Sequence, residues 1–142
     1  MTELSLTVDR KINAPQEAVF NAWLNPDMLR KFMHPAAEMS VPRASNDPKV
    51  GGAFEVVMKV GGNELPHSGN YKEISPHERI VFTWMGHVSV DDSTVTLTFK
   101  PVESGTHVTL THIRFMDEET RDNHQGGWIN ILEKLDTVLS AK

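Results

Sequence analysis

The sequence predicts one α+β domain over residues 1–142: a curved antiparallel sheet of about six to seven strands around a long C-terminal helix, with two short helices after the first strand. Three patterns predict it. Apolar and polar residues alternate with period two in several short runs separated by turn residues. A single long stripe of helical period closes the chain. Between these lie no internal repeats and no low-complexity linkers, so nothing divides the chain.

Leu4, Leu6 and Val8 alternate with Ser5, Thr7 and Asp9, as in a half-buried strand, and Arg10 and Ile12 continue the apolar parity. Ala14-Pro15 opens a helix with Val19, Phe20, Trp23 and Leu24 as its apolar stripe. Asn25-Pro26 repeats the start signal for a second short helix carrying Met28, Leu29 and Phe32, which His34-Pro35 ends. Strands are then expected from Val50 onward. Gly51-Gly52 turns into a run with Phe54, Val56, Met58 and Val60 on one face. Gly61-Gly62-Asn63 leads to a strand near His67–Ile74, and Ser75-Pro76-His77-Glu78 turns into Ile80, Phe82 and Trp84. After a polar loop near Asp91-Asp92-Ser93, Val95, Leu97 and Phe99 oppose Thr94, Thr96 and Thr98. Ser104-Gly105 closes a hairpin onto Val108, Leu110 and His112, leaving the threonines as a solvated face. Trp128, Ile131, Leu132, Leu135, Val138 and Leu139 form the final helical stripe, with Asp117 as a cap for the segment leading in. Gly126-Gly127 leaves open whether that helix begins before the glycines or after them.

Composition removes several classes of function. The net charge is -5 and no Lys/Arg run supplies a phosphate-tracking stripe, so nucleic acid is not expected as a partner. No stretch reaches the roughly 20 apolar residues of a membrane span, and Glu3, Asp9, Arg10 and Lys11 break any secretory core. With no cysteine there is no disulfide or thiolate site, which suits a cytoplasmic location.

A sheet with one apolar face must bury it, and the terminal helix is the only long amphipathic partner. A twisted sheet meets one helix best along its middle, leaving space toward one end that the short helices close. Trp23, Phe54, Met58, Tyr71, Trp84, Phe115 and Trp128 are the large residues available to line such a space. Each taken alone is as well explained by core packing.

One ordered set of motifs runs along nearly the whole chain: Arg10-x-Ile12-x-Ala14-Pro15, Val19-Phe20-x-x-Trp23, Pro26, Gly51-Gly52-x-Phe54, Gly69-x-Tyr71-x-Glu73-Ile74 and Pro76-x-Glu78-Arg79-Ile80-Val81-Phe82-Thr83-Trp84. Gly105-Thr106-x-Val108-Thr109-Leu110-Thr111-His112 and Gly127-Trp128-x-x-x-Leu132-x-x-Leu135 complete it. In these motifs the chain resembles the START-like (SRPBCC, Bet v 1-type) helix-grip superfamily, and within it most closely the domain of the activator of Hsp90 ATPase homologue family. Where family members often carry a Trp-rich segment, this chain has Phe32-Met33-His34-Pro35, which alters one rim of the expected pocket. The resemblance implies the helix-grip fold, and it implies binding of lipids, hormones, aromatic polyketides or protein partners as alternatives.

The seven histidines contain no pair at i and i+4 on one helix, and His107 and His112 have opposite strand parity, so no metal site is expected. No cofactor motif is present: the Gly-Gly pairs lack the Lys-Ser/Thr of a phosphate loop. Ser68, Ser75, Ser89 and Ser104 lie outside any nucleophile elbow, so no catalytic residue is assigned. His112 continues the inward parity near a strand end, and His124 lies one turn before Trp128; either imidazole suits a ligand contact or proton transfer. His67, Tyr71, Glu73 and Arg10 also face inward by alternation, with Arg10 and Glu73 read as members of a mutual or nearby ion pair.

The preferred reading is a binding module for a small, largely apolar molecule, lipid-like or aromatic, held between sheet and helix in a monomer or homodimer. Its candidate contacts are Trp23, Phe54, Met58, Tyr71, Trp84, His112, Phe115, His124 and Trp128. The alternatives are a co-chaperone-like domain acting on Hsp90, and a cyclase- or hydratase-type enzyme using His112 or His124.

Overall fold

Strand β1 (Ser5–Ile12) is followed by helices α1 (Gln16–Ala22) and α2 (Pro26–Phe32). Six further strands come next: β2 (Met39–Asn46), β3 (Ala53–Val60), β4 (Asn63–Ser75), β5 (Arg79–Thr83), β6 (Thr94–Val102) and β7 (Gly105–Ile113). Helix α3 (Glu118–Ser140) closes the chain. The computed structural model describes residues 4–34, 38–86 and 92–140. The expectations placed on Pro35, His87, Ser89 and Asp91 lie outside these.

All the strands pair antiparallel in one seven-stranded sheet ordered β1-β7-β6-β5-β4-β3-β2, which is the expected α+β helix-grip architecture. The start signals act as expected. Pro15 is the extended N-cap of α1, while Asn25 accepts hydrogen bonds from the Asp27 and Met28 N–H groups at the start of α2. Asp117 Oδ1 accepts the Thr120 N–H at 2.8 Å, capping α3. α3 therefore begins before the glycines and runs through them without a break.

Inward residues of the sheet meet Trp128, Ile131, Leu132 and Leu135 of α3, which are 2%, 3%, 1% and 0% exposed. Burying each such side chain contributes roughly 1.5–3 kcal/mol relative to leaving it in water. Val138 and Leu139 are only half-buried, because the last turns of the helix reach the edge of the sheet. No helix among the described residues is long and apolar enough to cross a membrane.

Two details differ from the sequence reading, while the ion pair expected of Arg10 is found. Strand β2 was not expected, because Pro42 interrupts its pattern. The chain accommodates it with a register shift between Ser40 and Arg43 on an edge strand, where a missing N–H breaks no ladder. A second shift, between Tyr71 and Glu73, turns Glu73 off the inward parity that Tyr71 keeps; Glu73 pairs instead with Arg79 at 3.4 Å. Arg10 does hold the inward parity, opposite Val108, but its partner is Asp136 of α3 at 3.1 Å. Burial opposes the charge on Asp136, yet hydrogen bonds from the Asn13 N–H, the Ser140 hydroxyl and Arg10 outweigh it and hold the carboxyl below its ordinary value. This cluster ties the far half of α3 to β1.

The continuous helix makes a test of its own. Gly126 is exposed, and a Cβ built there meets nothing within 4 Å. Gly126→Ala is expected to raise unfolding free energy by about 0.5–1 kcal/mol in urea titration, since it removes backbone freedom without strain. A loss of stability would show that the backbone at this point needs glycine.

Candidate functional site

The site is organised by Trp84, just beyond β5. Its backbone N–H donates to Ser93 O at 2.8 Å, and the next residue, Met85, exchanges backbone hydrogen bonds with Ser68 of β4. Gly69 makes this crossing possible: a Cβ there would collide with Thr83 O and lie 2.8 Å from the Phe54 ring. Trp84 thus points inward, 2% exposed, with the His67 ring stacked on it at 4.9 Å and 23°. The Trp128 ring of α3 sits 5.1 Å away, tilted by 60°.

Between these rings and the first half of α3 is a pocket of about 170 Å³. The sheet contributes Met58, His67 and Trp84; α3 contributes Asn123, His124, Gly127, Trp128 and Ile131. The helical members stand at i, i+1, i+4, i+5 and i+8, one face of the helix. Asn123 is exposed and marks the solvent side, while Met58, Trp84, Trp128 and Ile131 form an apolar floor. His124 Nδ1 donates to Thr120 O at 2.9 Å, which fixes the ring against its own helix and leaves Nε2 as the acceptor of the neutral form.

On the other face of Trp84 the interior is nearly filled. The space bounded by Trp23, Leu29, Met33, Phe54, Val56, Tyr71, Phe82 and Trp84 is about 10 Å³, at the threshold for a single water. Trp23, Phe54 and Tyr71 are therefore packed with one another rather than around the larger pocket. Phe54 meets Tyr71 at 5.4 Å, and Trp23 meets Phe32 at 4.9 Å. The Tyr71 hydroxyl accepts from Asn46 Nδ2 at 3.0 Å, and burial raises its pKa.

His112 does not line the pocket either. It lies behind Trp128, 1% exposed, and both ring nitrogens are engaged. The Trp128 indole N–H can only donate, and it does so to His112 Nδ1 at 3.0 Å. The proton of the neutral ring is thus on Nε2, which faces Ser93 Oγ at 2.6 Å. A Ser-His nucleophile pair needs the opposite arrangement, with the Nε2 lone pair open to the hydroxyl. Burial, and then the neighbouring His124, push the His112 pKa down to about 3. The imidazole is a neutral strut that sets the Trp128 ring. Half-buried Phe115 packs on it at 4.4 Å and on His124 at 5.4 Å, so Phe115 supports the wall rather than forming it.

Other hollows are open surface features. One of about 590 Å³ lies between α2 and β2 beside Asp27, Arg30, Lys31 and His34; another of about 510 Å³ lies beside Gln16, His77, Glu78 and Lys100. Among the described residues no three His, Asp or Glu side chains converge to hold a metal ion.

The family model of Activator of Hsp90 ATPase homolog 1-like protein matches residues 13–140. The chain belongs to this family. An activator of Hsp90 ATPase homolog 1-like protein from Aeromonas hydrophila shares 23% identity, with 97% of this chain and 93% of that one covered and a TM-score of 0.84. A Chromobacterium violaceum protein shares 24% over 95% and 96%, with a TM-score of 0.82. A Micromonospora echinospora protein shares 22% over 97% of this chain and 77% of its own, with a TM-score of 0.73. These identities establish the shared fold alone. No curated protein matches the chain.

Within this member of the activator-homologue family, four of the nine expected contacts come together in the pocket: Met58, Trp84, His124 and Trp128. Trp23, Phe54, Tyr71, His112 and Phe115 do not join them. His67, Asn123, Gly127 and Ile131 complete the lining. His67 shares its strand parity with Gly69 and Tyr71. Asn123 and Gly127 follow from stepping back one turn at a time along the helix, a step that an undecided helix start obscured.

Proposed function

We propose that the protein binds a small, largely apolar molecule in the pocket lined by Trp84, Trp128 and the first half of α3. The observation that supports this most is the contrast within one interior: nearly filled on one side of Trp84, open by about 170 Å³ on the other. Protein cores close-pack, and an unfilled apolar space next to aromatic rings forfeits dispersion contacts that a ligand would restore. Three imidazole or carboxamide groups, from His67, His124 and Asn123, add the few polar contacts that orient a bound molecule. Proton transfer by His112 is disfavoured, because its nitrogens are occupied and it stands behind the pocket wall.

Filling the space tests this. Gly127 lies within α3 and lines the pocket, so Gly127→Leu places four carbons there. Native mass spectrometry of protein purified from its own cells is expected to show a non-covalent adduct on the wild type and on Gly127→Ala, and none on Gly127→Leu. The melting temperatures of the two variants should agree closely, since a void absorbs bulk that would cost a filled core about 1–3 kcal/mol. An adduct that survives Gly127→Leu places the ligand elsewhere; a collapse in stability shows the space was never free.

A further inference from the structure

The two tryptophans that line the pocket come from distant parts of the chain, yet one buried residue connects them. Ser93, just before β6, is 2% exposed and does not line the pocket itself. Its carbonyl accepts the backbone N–H of Trp84 at 2.8 Å. Its hydroxyl oxygen stands 2.6 Å from His112 Nε2 and accepts the N–H that the Trp128 contact leaves on that nitrogen. His112 Nδ1 in turn accepts the Trp128 indole N–H at 3.0 Å. The contacts therefore run Trp84, Ser93, His112, Trp128, from the sheet to the helix.

Each link is short and shielded from water, since His112 is 1% exposed and both tryptophans are 2% exposed. Such a bond holds a ring more narrowly than packing does, because turning the ring away leaves a buried donor and a buried acceptor unmatched. The other tie of α3 to the sheet, between Arg10 and Asp136, lies about two turns beyond Trp128 and is too far along the helix to set the plane of this ring. The position of the ring matters for size. An apolar cavity of about 150 Å³ holds benzene. At about 170 Å³ the pocket takes one ring with its wall in place, whereas a fused second ring has to push Trp128 away from Trp84, whose ring is 5.1 Å from it.

We propose that Ser93 is the positioning residue of the pocket: its carbonyl and hydroxyl together fix the Trp128 ring against Trp84 and so limit the width of the ring system admitted. Only the width limit rests on the binding reading above; the fixing of the ring requires no ligand.

Ser93→Ala keeps the carbonyl and removes the hydroxyl, so it tests the side-chain link alone. Two indoles this close couple their far-ultraviolet transitions, and the ligand-free protein is expected to show a circular-dichroism couplet that Trp84→Phe and Trp128→Phe each abolish. Ser93→Ala should weaken that couplet and leave the rest of the spectrum unchanged. Imidazole nitrogen spectra of the wild type should show His112 with its proton on Nε2 and with Nδ1 coupled across the hydrogen bond to the Trp128 indole nitrogen. Benzene and naphthalene are then titrated against the indole N–H signals of Trp84 and Trp128. Relative affinity is expected to move about five-fold toward naphthalene in Ser93→Ala, or about 1 kcal/mol at about 1.4 kcal/mol per tenfold. An unchanged couplet in a Ser93→Ala protein of lower stability shows a serine that supports the fold and nothing more, and overturns the proposal. So does a wild-type His112 with its proton on Nδ1, a result that needs no variant to fold. A weakened couplet with an unchanged benzene-to-naphthalene ratio overturns the width limit. If neither hydrocarbon binds the wild type, the width limit falls as well, and the adduct experiment with Gly127→Leu decides separately whether the pocket binds anything.

Discussion

Lowering the pH from 7 to 4.5 is expected to remove about 2–3 kcal/mol of folding stability through His112 alone. Burial pushes its pKa down to about 3 from an ordinary value of 6.5. The folded state therefore holds the ring neutral while the unfolded chain takes up a proton below 6.5. Since the folded value is depressed, the stabilisation is complete above 6.5 and is lost as pH falls toward 3, at about 1.4 kcal/mol per unit. Asp136 contributes with the same sign, but only from its ordinary value of 3.8 downward, so the upper part of the window belongs to His112. Urea unfolding at several pH values, run beside His112→Gln, isolates the effect. The glutamine variant should be less stable at pH 7 and should lack the slope between 6.5 and 4.5. Parallel curves for the two proteins would show that His112 protonates freely in the folded state.

Trp128→Ala should be about as damaging, with a loss of about 3–5 kcal/mol for a fully buried aromatic ring. The residue is 2% exposed, forms the floor of the pocket and donates to His112. Trp128→Phe separates these contributions. It keeps most of the ring but leaves the His112 Nδ1 lone pair buried without a donor, for an expected loss of about 1–3 kcal/mol. Urea titration of both variants checks the account. A phenylalanine variant within about 0.5 kcal/mol of wild type would mean the indole–imidazole hydrogen bond adds nothing.

The fold was readable from the sequence because its signals are redundant. Six strands announce themselves by alternation, and most of the turns between them carry Gly, Pro, Asn, Asp or Ser. The seventh, β2, escaped because Pro42 and the shift beside it break the period on which such reading depends. Glu73 was misplaced for a related reason: a bulge inverts parity, and nothing in the residues around Lys72 announces one. The site was harder still. Which of the seven large residues available to line a space meet which space depends on how Trp84 divides the interior, and that division follows from backbone crossings at Gly69 and Ser93 that no local pattern encodes. His112 shows the same limit from another side. Its inward parity was legible, but whether it faced a cavity or a tryptophan N–H depended on the rotation of α3.

The most direct test of the central claim is a crystal structure of protein purified from its own cells, inspected between Met58, Trp84, Trp128 and Ile131. The account predicts continuous density there for a small molecule packed against the Trp84 and Trp128 rings. Side chains of Met58 and Ile131 closed over the space, leaving no room and no density, would contradict it.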